Sequence, residues 1–120
     1  MMRPHNGKMF KTDDIGNILV GVLVSRGYGA GWHSWNPHNT ECLFEPEIVH
    51  IVEAYRGKEL PQHIISEIST IAHRKWEDGY WGGAEGLEVV WLPVDTKFQI
   101  TEYDGAESLE TIDDIQWIEA

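Results

Sequence analysis

Between residues 26 and 39 the chain reads RGYGAGWHSWNPHN, a short span crowded with side chains that can recognise a ligand. Arg26, Tyr28, Trp32, His33, Ser34, Trp35 and Asn36 surround three alternate glycines, Gly27, Gly29 and Gly31. Glycine lets the backbone adopt positive φ or approach another group closely. Flat aromatic faces and hydrogen-bonding groups are therefore gathered on one flexible connection, as in many loop-borne recognition sites. A second cluster, Tyr80-Trp81-Gly82-Gly83, repeats the composition. The chemistry on offer is stacking with hydrogen bonding. Indole and phenol faces hold a planar group such as a nucleobase, at roughly 1–3 kcal/mol per base. His33, Ser34 and Asn36 add donors and acceptors, and Arg26 can offset phosphate charge. The competing expectation is structural: a glycine-softened loop whose two tryptophans plug the edge of a small core.

Other chemistries lack their residues. The glycines follow an apolar run, as in nucleotide-binding loops, but those motifs need a helix N-terminus immediately afterwards and, in the P-loop, a lysine. Here Pro37 disfavours helix at Asn36. The six histidines and many carboxylates could assemble a small metal-dependent hydrolase. However, His33 and His38 lie five apart on a loop, and no HExxH pattern fixes a ligand geometry. His50, His63 and His73 fall within or beside helical stripes, where packed or surface histidines are usual. Ser34 lacks the strand-turn-helix context of a nucleophile elbow. Cys42 is the only cysteine, which excludes an internal disulfide and a CxxC motif and reads as a small buried hydrophobe. No cofactor or metal site is expected.

The elements that must position these residues follow from hydrophobic pattern. Residues 18–24 are almost continuously apolar and β-branched, which predicts a strand buried on both faces at the centre of a sheet. The turn chemistry of residues 13–17 lets residues 8–12 pair with that strand. Glu45-Pro46-Glu47 opens a helix, with proline in the first turn and acids at the positive end of the dipole. Ile48, Val49, Val52 and Tyr55 continue it to Arg56-Gly57-Lys58. A second helix runs from about Pro61 to Trp76 with a core-facing stripe of Ile64, Ile65, Ile68, Ile71, Ala72 and Trp76. Residues 87–92 and 97–103 are strands, with Pro93-Val94-Asp95-Thr96 as the hairpin turn between them. Strands near 108–112 and 115–118 complete an antiparallel meander. The expected class is α+β: a small antiparallel or mixed sheet of four to five strands with a two-helix hairpin on one face. Residues 1–17 form an N-terminal extension or hairpin, and 18–120 form a single domain.

Twenty acidic residues against nine basic ones give a formal charge of −11, which repels nucleic acid backbones. After Lys97 the chain carries seven acids and no base. This run is expected on solvated edges and turns, or as a surface that docks on a basic host protein by imitating a polyanion. No apolar run approaches the ~20 residues that span a bilayer. The first residues lack the apolar core of a secretory signal, so a cytoplasmic protein is expected.

The loop YGAGWHSWN (residues 28–36), the YWGG stretch and the ending EYDGAESLETIDDIQWIEA resemble a group of small bacteriophage and prophage proteins. In that group a glycine and tryptophan-rich loop after the first strand recurs together with a terminal EYDG-(A/S)-ES hairpin. The resemblance covers roughly residues 20–120. It implies a phage context in the host cytoplasm and carries no activity or catalytic residue. The leading expectation is therefore a non-enzymatic phage accessory protein. It would bind a small planar, nucleotide-like ligand through Arg26, Tyr28, Trp32, His33, Ser34, Trp35, Asn36, Tyr80 and Trp81, alone or as a homo-oligomer, and so sequester a host immune signal. The alternatives are an acidic inhibitor of a host defence protein and the metal-dependent hydrolase.

Overall fold

The apolar run that begins at Ile18 has two faces to hide, and the fold covers each. The computed structural model describes residues 1–27 and 31–111. It places β1 (Arg3–His5), β2 (Lys8–Thr12), β3 (Ile18–Ser25) and β4 (Leu87–Pro93) side by side in that order in one antiparallel sheet. β3 is thus an interior strand, paired with β2 and β4. On one face Leu23, Met9 and Val89 pack with α1 (Pro46–Glu53) and α2 (Gln62–Lys75) through Ile48, Val49, Val52, Ile64, Ile68 and Ile71. On the other face Val20, Val22, Val24 and Leu92 are covered by Phe98, Ile100 and Leu109. These belong to a separate antiparallel hairpin of β5 (Phe98–Tyr103) and β6 (Ala106–Thr111). Burying each Val or Leu of β3 contributes roughly 1.5–3 kcal/mol, which is why neither face carries a charge. Gly21 marks the closest approach of α1: an added Cβ would lie 2.9 Å from Val49 Cγ1 and 3.3 Å from Trp91.

The helical hairpin is tied at one end. Glu45 caps α1 by accepting from Glu47 N–H at 3.4 Å, and its carboxylate also meets Lys75 Nζ at 3.1 Å. Arg74 reaches Glu47 at 3.4 Å, so the basic last turn of α2 faces the acidic start of α1, as both helix dipoles favour.

Two features of the sheet depart from expectation. The chain does not turn back on itself at Pro93. β4 pairs with β3, β5 pairs only with β6, and the 93–96 turn carries the chain across to the opposite face. Pro93 is the last paired residue of β4, Val94 N–H still donates to Ile18 O at 3.1 Å, and Asp95 adopts a φ of 70° in the turn. The second departure is at the N-terminus: β2 pairs with β3 across the 13–17 turn as expected, but Arg3–His5 add a further strand beyond it, and Met9 is buried. Asn6 and Gly7 have φ of 49° and 77°, the left-handed pair of a two-residue hairpin turn. Asp104 and Gly105, at 50° and 82°, form the same turn between β5 and β6. The strand expected at 115–118 lies outside the described residues.

Candidate functional site

The glycine-tryptophan loop is held by a residue that sequence placed at the surface. Glu107, the second residue of β6, is 2% exposed. Its Oε1 accepts from Ser25 N–H at 2.9 Å, a donor at the end of β3 beyond the last residue that β2 pairs. Its Oε2 accepts from Trp32 N–H at 2.8 Å, Ser34 N–H at 2.9 Å and Ser34 Oγ–H at 2.6 Å. Among the described residues no lysine or arginine pairs with this carboxylate. Its charge is met by converging backbone N–H groups and one hydroxyl, as in an anion nest. The expectation of a wholly solvated acidic run is thereby corrected for Glu107. Elsewhere in the run Glu102 accepts from Gly105 N–H at 2.7 Å and Glu110 from Gln99 at 3.2 Å.

This wrapping accounts for the glycines. A Cβ on Gly31 would collide with Ser34 Oγ and come 3.1 Å from Glu107 Oε2. One on Gly83 would strike the Gly31 carbonyl, and one on Gly86 would lie 3.0 Å from Gly27 Cα. The two glycine clusters therefore exist partly for each other, since their backbones pack with no side chain between them. Ser25 Oγ closes the junction by donating to Gly83 O at 2.7 Å.

The tryptophans divide into two groups. Trp32 is fully buried, and its indole N–H donates to Cys42 O at 2.8 Å. Its ring lies 4.7 Å from Trp81, which is 2% exposed and in turn lies 5.3 Å from Trp76. That row is core, so Trp32 and Trp81 have almost no surface to offer a ligand. Trp35 and Tyr80, by contrast, are 46% and 50% exposed and stack on one another at 5.0 Å with an interplanar angle of 28°. Asn36 brackets the two loops. Its Nδ2 donates to Trp32 O and Tyr80 O, both at 2.7 Å, and its Oδ1 accepts from Tyr80 N–H at 2.8 Å.

Trp35 forms part of the wall of an open cleft of about 600 Å³ between residues 35–39 and residues 75–79. Of the residues expected at the site, the structure gathers Trp35, Asn36 and Tyr80 beside this cleft. Ser34 is committed to Glu107, and His33 donates from Nδ1 to Asn39 O at 2.9 Å. Arg26 lines a different groove and pairs with Glu88 at 3.1 Å, which separates it from Trp35. Tyr28 lies outside the described residues. Sequence reading missed His38, Lys75, Trp76, Glu77 and Asp78 as cleft residues. The signal for Trp76 was its place just after the last turn of α2, where a stripe residue can reach past the core.

Cys42 is buried, and burial first, then the nearby Glu107 carboxylate, pushes its thiol up to about 12. A thiol so protonated is a poor nucleophile. Among the described residues no group of three His, Cys, Asp or Glu is placed to hold a metal ion. No helix there is long and apolar enough to cross a membrane. Compared with protein-family models, curated proteins and solved structures, the chain matches none.

Proposed function

We propose that this chain is a non-enzymatic binding protein for a small planar, nucleobase-like ligand, which enters the cleft between residues 35–39 and 75–79 and stacks on Trp35. The observation that carries this reading is the exposed Trp35–Tyr80 pair on a segment fixed from below. Tyr80 can cover only one face of the indole. The Glu107 bonds and the Asn36 bracket hold the backbone on either side of Trp35 in place. A rigid aromatic surface loses little conformational freedom on binding, which is the advantage of preorganisation. The cleft's volume falls in the usual range for small-molecule sites, about 300–1,000 Å³.

The resemblance to phage and prophage proteins supports a role as an accessory factor in host cytoplasm that sequesters a nucleobase-bearing signal. Docking on a basic host protein through the acidic C-terminal third is less well supported, because Glu107 in that run is spent internally. Equilibrium dialysis against nucleobases, nucleosides and cyclic nucleotides tests the reading. Binding that Trp35→Ala weakens roughly 5- to 150-fold, the range for loss of one stacked base, is expected. Failure of the wild-type chain to bind any of them would overturn it.

A further inference from the structure

We propose that the ligand taken by this cleft is a planar organic cation, an N-alkylated or protonated heteroaromatic ring, rather than a phosphorylated nucleotide. The inference rests on the binding site assigned above and narrows its ligand class.

Indole and carboxylate groups meet in the cleft beside Asn36, His38 and Asn39. Trp35 and the partly exposed Trp76 line it with indole surface. Glu77 and Asp78 line it with carboxylates, and among the described residues neither has a cationic partner. Lys75 is the one lysine or arginine in the lining, and its ammonium is held 3.1 Å from Glu45. Arg74 beside it on α2 is engaged by Glu47. Arg26, the cation nearest the glycine loop in sequence, pairs with Glu88 on another groove. A phosphate entering here would meet two unpaired carboxylates, no unpaired lysine or arginine and a chain of formal charge −11. A planar cation finds the reverse. Its face stacks on indole, the strongest aromatic partner for positive charge, and its charge is met by Glu77 and Asp78 at the exposed rim of the cleft.

The test uses three rings of nearly one shape, the cation 1-methylnicotinamide, neutral nicotinamide and anionic nicotinate, titrated into ¹⁵N-labelled protein while the Trp35 indole N–H resonance is followed. Binding in that order is expected, with the cation about tenfold tighter than the neutral ring and the anion weakest. The double variant Glu77→Gln, Asp78→Asn alters exposed side chains only. It is expected to remove the cation's advantage over the neutral ring, while Trp35→Ala, followed at the indole N–H of Trp76 in the same cleft, weakens cation and neutral ring alike. Equal affinity for cation and neutral ring, or tightest binding of nicotinate, would overturn the assigned class while leaving the cleft as a binding site. No response of Trp35 to any of the three would overturn the site as well.

Discussion

Replacing Glu107 with glutamine removes one charge and almost no volume, and the structure sets the size of the effect. One carboxylate oxygen accepts three donors, from Trp32 N–H, Ser34 N–H and Ser34 Oγ–H, and the other accepts Ser25 N–H. The glutamine oxygen can take the three-donor position, which leaves its NH₂ pressed against Ser25 N–H. That orphans a buried donor, at about 1–3 kcal/mol. The three surviving bonds fall from charge-assisted to neutral strength, at about 0.5–1 kcal/mol each. The sum is roughly 2.5–6 kcal/mol, a large share of a typical total stability of about 5–15 kcal/mol. For a domain of this size it lowers Tm by about 10–20 °C. Thermal and urea denaturation followed by circular dichroism measure it, and hydrogen exchange at the Trp32 and Ser34 amides localises it. A Tm within about 2 °C of wild type, with those amides still protected, would refute the assignment of Glu107 as the clasp of the loop.

Further outcomes follow from the same geometry. Glu110→Gln, at a partly exposed position in contact with Gln99, should change stability by less than about 0.5 kcal/mol in urea denaturation. Trp32→Ala should cost about 3–5 kcal/mol by the same measurement because its ring is fully buried, whereas Trp35→Ala should cost under about 1 kcal/mol and act on ligand binding. Gly83→Ala drives a methyl group to 2.6 Å from the Gly31 carbonyl carbon and should destabilise by about 1–3 kcal/mol, visible as a lower Tm. Cys42 should resist thiol-specific reagents at pH 8 until the chain unfolds. Because its folded pKa is raised from 9.0 to about 12, its contribution to stability is complete below pH 9 and is lost as pH rises toward 12. Cys42→Ala should therefore flatten part of the alkaline decline in stability measured over that window.

Residues 18–24 announced their environment because a run apolar at every position can be satisfied only if both faces are covered. Sequence named the helices as one cover, through stripes whose period of 3.6 is unambiguous. It did not name the β5–β6 hairpin as the other, because alternation reports that a strand has a buried side and not which sheet it joins. Asn6-Gly7 is legible as a hairpin turn from its residue types alone. Glu107 was not legible from local pattern. Its partners lie 73 to 82 residues away in the chain, and a glutamate in an acid-rich run looks solvated until backbone donors are folded around it. The glycines were legible as special, but the reason differs by position. Gly31, Gly83 and Gly86 serve close approach between backbones, a need set wholly by tertiary contacts. For the same reason Trp32, Trp35, Tyr80 and Trp81 could not be sorted by sequence into core and surface. Trp32 and Trp35 differ by three positions and by 46 percentage points of exposure.

The most direct test of the central claim is native mass spectrometry of the full chain, wild type and Trp35→Ala, recovered from cells and desalted under non-denaturing conditions. The account predicts a retained small molecule on the wild-type chain that Trp35→Ala lacks while remaining folded. A wild-type chain of bare mass, or one carrying the same adduct as the variant, would contradict it.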